Sequence, residues 1–100
     1  MPTKTDKFIP FEVTQEDIDG GGHGASTCPT AIAIHRVVGM YVQVGWLIAA
    51  IYWGDTKQVT KTYAKPKPVY YKLDKRTMEQ VHSYDTLRGM VPFKGVLERE

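Results

Sequence analysis

The sequence predicts an α+β fold, in which an antiparallel sheet of about four or five strands packs on a central helix at residues 29–38, with a second helix at residues 75–88. Three observations lead to this prediction. A capped, almost wholly apolar segment follows a glycine-rich stretch, alternating and then continuous apolar residues follow that segment, and a further segment has apolar residues at every third position. At 100 residues the chain forms a single domain, 1–100, with residues 1–7 expected to be disordered.

The central helix is predicted chiefly from its two ends. Pro29 suits the first helical position, and because it pushes the preceding residue out of the α region, Cys28 is the expected N-cap. Gly39 is a natural C-terminal stop. Between these ends Arg36 occupies the only clearly polar sector, so we expect the helix to lie in the interior. The glycines at positions 20, 21, 22 and 24 give the backbone access to positive φ at little steric cost, which predicts a loop before the helix.

The strands are predicted from alternation and from breakers. The segment Phe8–Val13 alternates and contains Pro10, which favours a short edge strand. Thr14 and Asp17 match a capping box, which begins a helix of one turn. Further strands are predicted at 41–46, at 47–53 (apolar on both faces and therefore central), at 57–63, at 69–73 (an edge strand) and at 91–97.

The second helix is expected to begin at Asp74 as its N-cap and to end at Gly89. Its apolar residues recur at every third position, which predicts a buried stripe. The members of this stripe are Met78, Val81, Tyr84 and Leu87.

Composition and charge exclude several classes of protein. Hydrophobic residues make up 42% and charged residues 24% of the chain, which are ordinary globular values, and the net charge of +2 is by itself no evidence for nucleic acid. The single cysteine excludes an internal disulfide and suits a reducing compartment. No apolar run approaches the roughly 18 residues of a membrane span, and the N-terminus lacks the apolar segment of a signal peptide. We therefore expect a cytoplasmic protein with no membrane partner.

Several short motifs resemble those of small uncharacterised proteins found in tailed bacteriophages and prophages. The resemblance spans most of the chain and implies an accessory protein that works in the host bacterial cytoplasm; it carries no assigned activity. Gly95 stands where an apolar strand residue is more usual in that pattern. The motifs are Thr14-x-Glu16-Asp17-Ile18-x-x-Gly21, Cys28-Pro29-x-Ala31-x-Ala33, Leu73-Asp74 before a helix, and Pro92-Phe93-x-x-x-Leu97.

Enzymatic chemistry finds little support in these residues. A thiol at a helix N-terminus has a lowered pKa in some enzymes, but His35 lies two turns beyond Cys28, about 10 Å along the axis, and His23 is the only other nearby base. With His82 these residues have the ligand types for zinc, yet their spacing matches no zinc pattern. The GGGHG loop lacks the lysine of a phosphate-binding loop. We expect no catalytic residue, no metal and no cofactor.

The middle of the chain is unusually rich in aromatic residues, and exposed Tyr and Trp serve as anchors in protein interfaces. We therefore predict a non-enzymatic phage accessory protein that binds a host or phage macromolecule, with a protein as the expected partner and inhibition as one outcome. A homodimer is compatible with this reading, and the oligomeric state stays open. The predicted protein-binding residues are Trp53, Tyr63, Tyr70 and Tyr71.

Nucleic-acid binding is the alternative function. Basic residues are interleaved with tyrosines in the same segment, an arrangement in which cations pair with phosphates while rings stack on bases. Lysines that guard a strand edge against pairing produce the same pattern. The residues assigned to this alternative are Lys57, Lys61, Lys65, Lys67, Lys72 and Arg76.

Overall fold

A computed structural model describes residues 2–54 and 67–100 of the chain. Within these residues, five strands form one antiparallel sheet with the order β1-β5-β4-β3-β2, which confirms the predicted α+β class. The strand expected at 57–63 lies outside the described residues. The elements are β1 (Phe8–Val13), α1 (Gln15–Gly20), α2 (Pro29–Val38), β2 (Tyr41–Val44), β3 (Ile48–Tyr52), β4 (Val69–Leu73), α3 (Lys75–Asp85) and β5 (Phe93–Arg99).

Helix α2 is the interior helix that its sequence predicts. The Cys28 Sγ accepts a hydrogen bond from the Ala31 N–H at its start, and Gly39 ends it with a φ of 70°. The helix packs against β1 and β2, which are the two edge strands, so the sheet curls around it into a half-barrel. Its buried residues are Pro29, Thr30, Ala31, Ala33, Ile34 and Val38.

Residues 21–28 form the loop that the glycines predict, although none of the glycines at positions 20, 21, 22 and 24 has a positive φ. The loop is closed by its own backbone, because the Gly22 N–H donates to the Thr27 carbonyl at 2.7 Å. Gly21 is required for a different reason. A Cβ at this position would lie 2.7 Å from the ring carbons of Pro29, so the absence of a side chain lets the loop pass close to the start of α2.

The Arg36 side chain connects α2 with α1 and with β1. The Arg36 guanidinium donates to both carboxylate oxygens of Asp17, at 2.6 and 2.9 Å, and to the Glu12 carbonyl at 2.9 Å. Asp17 is itself the third residue of the predicted capping box with Thr14, which is confirmed. The hydrogen bond from Arg36 lowers the pKa of the buried Asp17 carboxyl below its ordinary value of 3.8. The Arg36 side chain therefore holds α2 to α1 by an ion pair and to β1 by a hydrogen bond.

Strand β4 lies inside the sheet, and the prediction of an edge strand is wrong. It pairs with β3 on one side and with β5 on the other. Tyr71 in this strand is fully buried, its hydroxyl accepts a hydrogen bond from the Trp53 Nε1 at 3.0 Å, and burial raises its pKa. A strand with one uncovered face alternates in the same way at an edge or in the middle, so the alternation could not distinguish the two positions.

Helix α3 ends earlier than predicted, at Asp85 and not at Arg88. The Leu87 N–H donates to the Tyr84 carbonyl and the Arg88 N–H to the Ser83 carbonyl, which together form a Schellman ending. Leu87 takes the left-handed position, with a φ of 63°, and is 82% exposed, so its place in the predicted buried stripe is wrong.

The start of α3 is fixed against β5. Asp74 occupies the N-cap position but makes no capping bond; its carboxylate accepts from the Val96 N–H at 3.0 Å and from the Thr77 hydroxyl. Thr77 is buried against Gly95, and a Cβ at Gly95 would collide with Thr77 and lie 2.6 Å from the ring of Phe11. This contact explains why position 95 holds a glycine.

Candidate functional site

The two faces of the sheet differ in what covers them. Helix α2 packs on the face that holds the core, α1 packs on α2, and α3 packs on β5 through Thr77 and Gly95; we call this the inner face. None of the three described helices covers the opposite face, which we call the outer face. By strand alternation its residues are Phe8, Pro10, Glu12, Tyr41, Gln43, Ile48, Ala50, Tyr52, Tyr70, Lys72, Lys94, Val96 and Glu98.

Large apolar side chains are exposed on the outer face. Phe8 is 57%, Tyr70 47%, Val96 40% and Ile48 38% exposed, and they come from four neighbouring strands. The registers align one row across β1, β5, β4 and β3, which we call the central row. The central row consists of Phe8, Glu98, Lys72 and Ile48.

Charges on the outer face occur as neighbours of opposite sign. Lys72 lies directly opposite Glu98, and Lys94 directly opposite Glu12. Lys7 adds a contact with Glu98, with 4.0 Å between its Nζ and the Glu98 Oε2. Cross-strand pairs of this kind cancel one another's field over a few ångströms. The outer face therefore combines apolar side chains with compensated charge, and it is not a uniformly basic surface.

The free edge of β1 is protected against the addition of another strand. The Arg99 N–H donates to the Lys7 carbonyl, so Lys7 is hydrogen-bonded to β5. Because backbone groups alternate in direction along an antiparallel strand, the even-numbered residues of β1 point their N–H and C=O groups away from β5, towards the free edge. Among these, Pro10 has no N–H to offer, and the Glu12 carbonyl accepts from Arg36 at 2.9 Å. Proline and an occupied carbonyl are ordinary means of blocking edge pairing.

The other edge strand, β2, is partly occupied as well. The Val44 N–H donates to the Ala25 carbonyl in the loop before α2, at 2.8 Å. β2 has four residues, which leaves little length for a further strand. A partner is therefore better accommodated on the outer face than at either edge.

The predicted protein-binding residues do not form one surface. Tyr70 lies on the outer face, whereas Tyr71 points into the core because successive strand residues face opposite sides. Trp53 is half-buried, packs against the core and donates to Tyr71. Tyr63 lies outside the described residues. Of the three that the structure describes, only Tyr70 contributes an exposed ring to the outer face.

The basic residues of the alternative function are also separated. Lys72 lies on the outer face opposite Glu98, and Arg76 belongs to α3, which packs on the inner face. Lys67 is exposed just before β4. Lys57, Lys61 and Lys65 lie outside the described residues.

Sequence reasoning missed the apolar residues Phe8, Ile48 and Val96. A signal for Phe8 was present, because it alternates with the inward-facing residues of β1. Alternation shows that two faces exist but not which of them the helices cover. That choice follows from the packing of α2 across both edges of the sheet.

The candidate chemical groups are held by separate structural contacts. Burial raises the pKa of the Cys28 thiol, which is the direction opposite to activation. His35 shares a 2.6 Å hydrogen bond with the Met40 carbonyl, His23 stacks on Tyr84, and His82 lies edge-on to Trp46. In residues 2–54 and 67–100, no group of three or more His, Cys, Asp or Glu side chains is placed to hold a metal ion.

Cys28 also lines a cleft of about 250 Å³ between α3, the loop before α2 and the turn that follows β2. His23, Trp46 and Asp85 line the same cleft. The Asp85 carboxylate accepts a 2.5 Å hydrogen bond from the Trp46 Nε1, so its charge is engaged in holding the turn to α3. The hydrogen bond in this cleft joins the turn after β2 to α3, so the outer face is the stronger candidate site.

The fold and its surface define a small α+β domain in which the described helices cover one face of the sheet and not the other. Among the described residues, no helix has the length and hydropathy that crossing a membrane requires. Comparisons of the chain with protein-family models, with curated proteins and with solved structures found no match. The outer face is therefore the candidate functional site of the described residues.

Proposed function

We propose that the chain is a non-enzymatic phage accessory protein that binds a host or phage protein through its outer face. A single observation carries the proposal: four large apolar side chains are exposed together on the sheet face that none of the described helices covers. Large apolar side chains exposed on one face of a sheet are typical of interaction sites, because leaving apolar surface in water costs roughly 25 cal/mol per Å². The resemblance to phage proteins supplies the bacterial cytoplasm as the setting and inhibition of the partner as one outcome.

The distribution of residue types supports a protein as the partner. Protein interfaces have an apolar, aromatic centre and a polar rim. Phe8 and Tyr70 supply aromatic rings, and Glu12 and Lys94 supply a charged pair towards one end of the face. Rings of this kind are the side chains whose removal costs most binding free energy in interfaces.

Nucleic acid is less well supported as the partner. A phosphate backbone requires an excess of positive charge, and its binding weakens steeply with added salt. On the outer face Lys72 and Lys94 each have a glutamate directly opposite, so the described part of this face offers no such excess.

Site-specific photo-crosslinking tests the proposal. A benzophenone amino acid is placed at Tyr70 on the outer face or at Leu87, which is more exposed but lies beyond the end of α3. In bacteria that produce the full chain, we expect a crosslinked product of defined mass from position 70 and none from position 87. The product should disappear when Val96→Lys is added and persist after nuclease treatment.

Two outcomes would count against the proposal. Equal crosslinking from both positions would mean that contact with the outer face is not specific, and loss of the product on nuclease treatment would favour nucleic acid. The enzymatic alternative has its own test, since an activated Cys28 thiol is alkylated rapidly near neutral pH. We expect slow labelling, because burial raises the pKa of this thiol.

A further inference from the structure

We propose that the protein bound by the outer face is a second copy of the chain, placed face to face by a twofold axis. The inference rests on the proposed function, because it requires the outer face to be a protein-binding surface. It adds the identity of the occupant and the geometry of the complex. The argument depends on the order of residues in the central row.

The central row is self-complementary. Read from β1 to β3 it runs apolar, acidic, basic, apolar, so reversing its direction exchanges the two charges and leaves apolar residues at both ends. A twofold axis parallel to the strands, between β5 and β4, places Glu98 over Lys72 of the second copy. The same axis places Phe8 over Ile48 of the second copy. A twofold interface needs this property, because the same surface meets itself.

The geometry agrees with ordinary sheet packing. An axis parallel to the strands keeps the strands of both copies nearly aligned, as in sandwiches whose sheets cross at about −30° and lie roughly 10 Å apart. Glu98 and Lys72 are already neighbours within one sheet, so the two copies together form a cluster of four charges with alternating sign. Each charge then lies beside opposite charges, in its own sheet and in the facing one.

The size of the face fits a weak dimer. Four strands about 4.8 Å apart and about six residues with a rise of roughly 3.3 Å span roughly 400 Å² in projection. Side-chain relief raises the accessible area above the projection, so two copies bury on the order of 1,000–1,200 Å² in total, which is at the lower end of specific interfaces. We therefore expect a dissociation constant on the order of micromolar.

The charge order favours a second copy over an unrelated protein. An unrelated partner must present a base opposite Glu98 and an acid opposite Lys72, at the spacing of adjacent strands, with apolar residues outside them. A second copy meets every one of these requirements. The protected edges of β1 and β2 leave this face as the better route to association.

Charge exchange across the axis tests the inference. The mass of the full chain in solution is measured by sedimentation equilibrium from about 0.1 µM to about 1 mM, a range chosen to bracket the expected constant. We expect the wild type to associate and Glu98→Lys and Lys72→Glu each to remain monomeric, because each change places like charges opposite one another. An equimolar mixture of the two variants should associate again, since the introduced lysine then faces the introduced glutamate.

Controls separate association from folding. Thermal unfolding of each variant establishes that it is folded, and Leu87→Lys, away from the face, should associate like the wild type. If a charge reversal prevents folding, Glu98→Gln and Lys72→Gln replace it and should weaken association roughly two- to tenfold. A wild type that stays monomeric to about 1 mM, or single variants that associate as tightly as the wild type, would overturn the inference.

The failure of this inference is distinguishable from the failure of the proposed function. A monomeric chain that crosslinks from position 70 to a different protein refutes the second copy and leaves the outer face as a protein-binding surface. A monomeric chain with no crosslink from position 70 refutes both.

Discussion

The inner and outer faces of the sheet are made by the same strands and serve different purposes. In β1, for example, Ile9 and Val13 are fully buried beneath α2, whereas Phe8 on the other face is more than half exposed. The inner face therefore determines stability, and the outer face is the surface at which we propose that a partner binds. Because alternate residues of one strand divide these roles, substitutions can separate folding from binding at positions that are adjacent in the sequence. The following predictions test that separation.

The largest expected effect is the loss of a side chain from the interior helix. Ile34→Ala should lower the free energy of unfolding by about 3–4 kcal/mol, because it leaves a cavity beneath the sheet at a fully buried position. The matched control is Ile48→Ala on the outer face, which should cost less than about 1 kcal/mol because Ile48 is partly in water already. Urea unfolding measures both, and similar losses at the two positions would contradict the division between the faces.

A substitution at the contact between β5 and α3 should lower the free energy of unfolding by nearly as much. Gly95→Ala should lower the free energy of unfolding by about 2–3 kcal/mol, since the added methyl group collides with Thr77 and with the ring of Phe11. Its neighbour on the outer face supplies the control, because Val96→Ala should cost less than about 1 kcal/mol. If Gly95→Ala has no effect on the melting temperature, the close packing of α3 on β5 is wrong.

A buried charge such as Asp17 and a charge on the outer face such as Glu98 should also contribute differently to the free energy of unfolding. Asp17→Asn should lower the free energy of unfolding by about 1–2 kcal/mol at pH 7, because the ion pair between the buried Asp17 carboxylate and the half-exposed Arg36 is lost. Glu98→Gln, at a well-exposed contact with Lys7, should change it by less than about 0.5 kcal/mol. Both are measured below the concentration at which copies associate.

The dependence on pH provides a second readout for Asp17. Folding lowers the pKa of Asp17 below its ordinary value of 3.8. Its contribution to the free energy of unfolding is therefore present above pH 3.8 and is lost as the pH falls through the lower pKa of the folded state. The difference in stability between wild type and Asp17→Asn should therefore shrink below about pH 4. A difference that stays constant down to pH 2 would rule out ionisation of Asp17 as its cause.

The smallest expected effect is a gain in stability. Leu87→Gly should raise the free energy of unfolding by about 0.5–1 kcal/mol, because Leu87 holds the left-handed position of the Schellman ending with a side chain that packs on little. Gly39 holds the left-handed position at the end of α2, so Gly39→Ala should lower the free energy of unfolding by about 1 kcal/mol. Changes of the same sign at both sites would refute this account of the two helix ends.

Local chemistry alone predicted the features that involve residues three or four apart. The Cys28–Pro29 start of α2, its end at Gly39 and the capping box of Thr14 with Asp17 each depend on bonds within one turn. Local rules failed at the end of α3, because a leucine took the position that glycine usually holds and the helix stopped at Asp85, before Gly89.

The tertiary structure alone decided which strands are neighbours and which face stays uncovered. β4 is central because β3 and β5 both pair with it, although its alternation is equally typical of an edge. None of the three described helices lies on the outer face, because α2 spans β1 and β2 on the inner face, and these strands lie at opposite edges of the curled sheet. The central row takes each of its residues from a different strand, so its order depends on pairings between distant segments, which no local pattern specifies.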